Sequence, residues 1–157
     1  MRLMALQKNV QIKNRKARFE YEILEKFTAG IVLRGTEIKA IREGKASIAE
    51  SFCEFANGEL FVINMTIQEY SHATHYNHTP KSERKLLLTR RELKKLEKEV
   101  KNSGLTIIPL LLFTNEKGLA KLEIALCKGK KLYDKREVMK ERDTKRDLSR
   151  IKKAFNN

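Results

Sequence analysis

Cysteine is scarce in this chain of 157 residues. Cys53 and Cys127 stand singly inside apolar, strand-like runs with no CxxC and no metal-ligand spacing, which leaves two buried reduced thiols, or at most one bridge joining them. Long hydrophobic runs are missing too. No segment reaches the length of a membrane span, and the few apolar groups of residues 1–6 give way to Gln7 and Lys8 before a secretory signal core could form. The expected location is therefore the cytoplasm. No Gly-rich phosphate loop and no repeat of 20 to 50 residues is visible. Acid is in short supply: 20 Asp and Glu face 34 Lys and Arg, a formal charge of +14. A surplus of this size favours a polyanion as partner, nucleic acid before an anionic membrane surface.

What is present is unevenly distributed. The segment 128–157 holds twelve of the basic residues but only five of the acidic ones, and it is poor in apolar groups. Such a tail has too little apolar surface to offset its ordering entropy alone. It is nevertheless rich in helix formers from Asp134 to Lys153, and Leu148, Ile151 and Phe155 recur at three- and four-residue spacings. A thin stripe like this makes a helix that is marginal in water and gains its shape on a partner. The reading divides the chain into a basic N-terminal arm (1–18), a body (19–127) and a basic tail (128–157).

Within the body, Phe19, Tyr21 and Ile23 alternate with charged residues as a half-buried strand does. Thr28 is expected to cap a short helical turn from Ala29 to Arg34, and Thr36 to Arg42 reads as a second strand. The Asn57-Gly58 pair between two apolar runs predicts a tight hairpin. Residues 69–84 are polar, hold all three histidines and read as a long functional loop. Thr89-Arg90-Arg91-Glu92 fits a capping box for a helix through Val100 that Gly104 stops. Leu105 to Phe113 and Leu119 to Leu126 predict two strands joined by a turn with Gly118, and Pro109 asks for an edge or a bulge. About six strands and two helices without βαβ alternation point to a mainly β fold. The expected architecture is a small antiparallel barrel of oligonucleotide-binding-fold character, flanked by two or three helices.

Several blocks together carry a family resemblance: Asn14-Arg15-Lys16-Ala17, Ala29-Gly30-Ile31-Val32-Leu33, Gly35-Thr36-Glu37-Ile38-Lys39, Arg84-Lys85-Leu86-Leu87-Leu88, and Gly129-Lys130-Lys131 followed by Asp134-Lys135-Arg136. In this order, over Gln7 to Lys153, the chain resembles the bacterial SsrA-binding protein family (SmpB). The resemblance implies a non-enzymatic barrel that binds the tRNA-like part of transfer-messenger RNA near its D-loop and elbow. It further implies delivery, with elongation factor Tu and GTP acting through the charged RNA, to the vacant A site of a stalled ribosome. There the tail would enter the decoding centre and the empty mRNA channel against small-subunit rRNA. A general structured-RNA-binding or ribosomal protein is the alternative.

For the site, the resemblance implies RNA contacts from Asn14, Arg15, Lys16, Arg18, Tyr21, Lys39, Lys45, Asn77, His78, Arg84, Lys85, Leu87 and Lys121. Ribosome contacts are implied for Lys128, Gly129, Lys130, Lys131, Tyr133, Asp134, Lys135, Arg136 and Ile151. Arginine offers phosphates a planar fork and lysine a mobile point charge, while aromatic and apolar groups can stack under unpaired bases. For Asn14 to Lys16 the plainer reading is a solvated arm, and for Tyr21 and Leu87 it is core packing. Thr28 stands where relatives often carry an acid, and Ser82 where they tend to carry Arg. His72, His75 and His78 recur every third residue, a spacing that aligns only on a 3₁₀ turn, so no metal is expected. A nuclease would need paired carboxylates at a scissile phosphate, and Glu37 and Asp134 stand alone. Glu37 is expected instead to anchor a neighbouring Lys or Arg inside the barrel. No catalytic residue and no cofactor is expected.

Overall fold

The computed structural model describes residues 10–73 and 75–129. Its strands are β1 (Gln11–Lys13), β2 (Tyr21–Ile31), β3 (Ala46–Ser47), β4 (Phe52–Ala56), β5 (Glu59–Ile63), β6 (Thr66–Ile67), β7 (Arg84–Leu87), β8 (Thr106–Thr114) and β9 (Ala120–Gly129). Its helices are α1 (Arg15–Glu20), α2 (Gly35–Arg42) and α3 (Arg90–Ser103). All strand pairs are antiparallel, and the main sheet closes on itself because β8 pairs with β9 as well as with β4. The ring runs β8, β4, β5, β7, β2, β9 and back to β8. This is the small barrel expected from the alternating strands and absent crossovers.

Local chemistry sets the turns. Asn57 and Gly58 have φ of 52° and 76°, the left-handed pair that a two-residue hairpin needs to match strand twist, and β4 and β5 pair from Ala56–Glu59 outward. Thr89 caps α3: its hydroxyl accepts from the Glu92 N–H, and the Glu92 carboxylate accepts from the Thr89 N–H. Gly104 ends the helix at φ 63°, where a side chain would be strained. Leu96 of α3 is fully buried and Leu93 and Val100 pack against the same core, which also holds Leu60, Val62, Leu86, Leu112, Leu122 and Ile124.

Pro109 sits where β8 changes neighbours. Ile107 pairs with Cys53 of β4, whereas Leu111, Leu112 and Phe113 pair with β1. The register with β9 slips between Pro109 and Leu111. A residue without an N–H is tolerated at such a bulge.

Three expectations are corrected. Residues 10–18 are not an extended arm: β1 adds to β8, and α1 lays Ala17 on a second cluster with Ile108, Leu110, Ala125 and Cys127. Thr28 caps nothing, because Ala29, Gly30 and Ile31 continue β2 and pair across to β9 and β7. Thr36 to Arg42 is helical. Glu37, Ala40 and Ile41 are its buried residues, a three- and four-residue spacing that fits a helix face, and Glu37 Oε1 accepts from the Arg34 N–H at 2.9 Å. The strands among the described residues number nine rather than about six, and the helices number three, within the expected two or three. The extra strands are short additions: β1 and the pair β3–β6.

Candidate nucleic-acid interface

Registers across five strands assemble one outward row: Leu87 of β7 faces Gly30 of β2, Gly30 faces Lys121 of β9, Lys121 faces Phe113 of β8, and Phe113 faces Gln11 of β1. Two residues along each strand, a second row on the same face runs Thr28, Glu123, Leu111, Lys13. The residues between the rows, Ala29, Leu122 and Leu112, point inward and are fully buried. The alternation of a strand thus divides one apolar run into a core set and an outer set. On the outer set, Leu87 is 53% exposed, and Phe113, Leu111 and Lys121 are half-buried. Apolar and aromatic surface beside lysines is the combination that unpaired bases and phosphates ask of a protein.

Gly30 makes the row possible. A Cβ added there would lie 3.3 Å from the Leu87 Cβ, so the missing side chain lets Leu87 lie close over the β2 backbone toward Lys121. At the far end the platform meets a cleft lined by Lys13, Arg15, Arg18, Leu111 and Glu123. Arg15 and Arg18 are exposed on α1, and Asn14 fixes where that helix begins. The Asn14 N–H donates to Leu110, and its side-chain amide donates to the carbonyls of Pro109 and Ile48.

Asn14 is therefore a correction to the expected phosphate grip. It is 5% exposed and holds the start of the helix that carries the arginines. His78 and Arg84 are corrected for the same reason, at 2% and 3% exposed. The His78 ring bonds the Thr36 hydroxyl and the Ile67 carbonyl, each at 2.9 Å. Arg84 forms a buried ion pair with Glu37 and donates to the carbonyls of Met65, Thr79 and Pro80. The Thr79 carbonyl also accepts from the Ser82 N–H and the Pro80 carbonyl from the Ile67 N–H, so the guanidinium adds to bonds that already hold the end of the loop 68–83 to the barrel. The anchoring role expected for Glu37 is the one observed.

Of the other expected contacts, Lys85 shares the outer face of β7 with Leu87, two residues on, and the rest lie apart from the platform. Lys39 is exposed on α2, with its ammonium 5.6 Å from the Tyr70 ring. Asn77 closes the loop over residues 70–77 by accepting from the Tyr70 N–H and donating to its carbonyl. Lys45 pairs with Glu43, Lys85 with Glu59, and Lys16 with Glu50. The hydrogen bond and charge of Glu50 raise the Lys16 pKa. Tyr21 is half-buried against the cluster under α1. Lys128 and Gly129 are exposed but still belong to β9, opposite Glu22 and Tyr21, so the strand runs two residues past the expected start of the tail. Lys130, Lys131, Tyr133, Asp134, Lys135, Arg136 and Ile151 lie outside the described residues.

Gly30, Phe113, Leu111 and Lys13 were not anticipated. The run Thr106 to Thr114 is so continuously apolar that nothing in it marks which residues face out. Cys53 and Cys127 are buried free thiols, as expected. Among the described residues, no group of three His, Cys, Asp or Glu could hold a metal ion, and no helix is long and apolar enough to cross a membrane.

A closed antiparallel barrel whose outer face sets half-exposed apolar groups among lysines and arginines defines a basic barrel of the oligonucleotide-binding type. Comparison with known proteins is specific. The family model described as "SmpB protein" matches residues 11–154. The SsrA-binding protein of Christiangramia forsetii is 71% identical over 150 residues, 96% of each chain. That of Flavobacterium psychrophilum is 70% identical over 148 residues, 94% of this chain and 99% of the relative. A chain in a solved structure presented as "tmRNA-SmpB: a journey to the center of the bacterial ribosome" superimposes with a TM-score of 0.66. It is 44% identical and covers 78% of this chain and 86% of its own. The chain belongs to the SmpB family of SsrA-binding proteins.

Proposed function

We propose that this chain binds the tRNA-like part of transfer-messenger RNA and accompanies it to the A site of stalled ribosomes, where trans-translation rescues the ribosome and tags the nascent chain. The observation that carries this reading is the row Leu87, Gly30, Lys121, Phe113, in which an apolar strip and a cation lie side by side on one rigid face. Membership of the SmpB family supports the choice of RNA. A folded loop offers unpaired bases to the strip, and its backbone offers phosphates to Lys121, Lys13, Arg15 and Arg18. The protein acts by holding and placing RNA, without a chemical step of its own, in the cytoplasm. Elongation factor Tu with GTP is the partner that would bring the charged RNA.

The tail has the second part in this reading. Its basic residues, Lys130, Lys131, Lys135 and Arg136 among them, would fold in the decoding centre and the empty mRNA channel against small-subunit rRNA. An intact message fills the same volume, so the tail tests for its absence. Competition binding tests the first part. The full-length protein should prefer the tRNA-like RNA over an unrelated structured RNA of equal length by ten-fold or more. Lys121→Ala and Leu87→Ala should each erode that preference. Equal affinity for both RNAs would replace this reading by that of a general RNA-binding protein.

A further inference from the structure

One charged surface is left over once the platform and the loop have been assigned. Helix α3 carries Arg90, Lys94, Lys98 and Lys101 along one groove, closed on its other side by Gly58 at the tip of the β4–β5 hairpin. These positions recur at four, four and three residues, which places them on a single helix face. At 1.5 Å per residue the stripe is about 17 Å long.

The acids of the helix do not balance it. Glu92 is held in the cap with Thr89, Glu97 pairs with Lys101, and Glu99 accepts from the Ser103 hydroxyl. On another part of the helix, Lys95 pairs with Glu25 of β2. Arg90, Lys94 and Lys98 are exposed and have no ion pair among the described residues. An ordinary solvated helix intersperses its charges so that neighbours neutralise one another. On the groove face, which Glu97 also lines, Lys101 is paired with that acid, and Arg90, Lys94 and Lys98 are left unneutralised.

We infer that this stripe is a second RNA-binding surface, fitted to the phosphate backbone of a double-helical RNA segment and blind to its sequence. A straight row of cations matches a straight row of phosphates, and the groove face offers neither an aromatic group nor a buried polar group that could read a base. A duplex presents several charges over the length of the stripe. The inference rests on the proposed function in one respect, that the natural polyanion is RNA. Two such surfaces on one small barrel would let it hold a looped RNA at the platform while α3 lies along a neighbouring duplex.

The test compares full-length wild type with Arg90→Gln/Lys94→Gln/Lys98→Gln, using a plain RNA duplex without loops and the tRNA-like RNA, over a series of salt concentrations. All three side chains are exposed, so the melting temperature should not change; Lys98→Gln alone serves as the second variant, with about one third of the effect. The triple variant should bind the duplex ten-fold or more weakly, and its slope of log affinity against log salt should be shallower by about 2 to 3, close to one per phosphate contact removed. A slope and a duplex affinity equal to those of wild type would overturn the inference. Failure of the proposed function looks different: wild type would then show no preference for the tRNA-like RNA, whatever α3 does with the duplex.

Discussion

Glu37 of α2 and Arg84 of β7 meet inside the molecule, carboxylate on guanidinium, with side chains 5% and 2% exposed. Glu37 also accepts from the Arg34 N–H, and Arg84 donates to the Met65 carbonyl and to those of Thr79 and Pro80 in the loop, so the pair ties a helix start, a strand and the loop 68–83 together. Removing one partner leaves the other charge buried and uncompensated, which costs about 3 to 5 kcal/mol. Glu37→Ala and Arg84→Ala should each lower the urea-unfolding free energy by that amount. A loss under about 1 kcal/mol would show that water or another group replaces the missing partner.

Gly30 should act through Leu87. Gly30→Ala places a methyl group 3.3 Å from the Leu87 Cβ, so β7 must give way slightly and carry Leu87 with it, with a stability change within about 1 kcal/mol. Binding to the tRNA-like RNA should fall several-fold. Because both changes disturb one contact, Gly30→Ala and Leu87→Ala should be strongly non-additive in a double-mutant cycle. Additive losses would separate the two residues.

Burial holds the thiols neutral. It pushes Cys127 up from 9.0 to about 11, and burial together with the nearby Cys127 raises Cys53. Since the folded value lies above the unfolded one, the stabilising contribution is complete below about pH 9 and is lost as pH rises toward 11. The slope is up to about 1.4 kcal/mol per pH unit for each thiol. Cys127→Val should flatten the alkaline limb of urea-midpoint against pH compared with wild type. An identical limb would place its cause in other groups.

The parts of the fold legible in the sequence are those that local chemistry decides. Asn57-Gly58 and Thr89…Glu92 each name their own geometry, and Gly118, at φ 78°, turns β8 into β9 as expected. Residues 34–42 failed this test because Arg34 stands at the N-cap where Ser or Thr would give the signal, and β-branched Ile38 and Ile41 with Thr36 resemble a strand. Thr28 misled in the opposite way, being a good cap residue inside a long strand. The platform was half legible: family blocks pointed to Leu87 and Lys121, but only the registers across β7, β2, β9 and β8 show that Gly30 and Phe113 lie between and beside them. Asn14, His78 and Arg84 look like surface residues in a basic sequence, and long-range hydrogen bonds put them inside.

The proposed division of labour between barrel and tail predicts a separation of effects. Removing residues 131–157 should leave affinity for the tRNA-like RNA within a few fold and abolish tagging on stalled ribosomes. Parallel loss of both would contradict the division.

The central claim is that this barrel selects one RNA. Sequencing the RNA that co-purifies with the full-length protein from cells tests it most directly. Transfer-messenger RNA should dominate the recovered species and should drop sharply with Lys121→Ala. Recovery of RNA in proportion to its cellular abundance, unchanged by that substitution, would contradict the account.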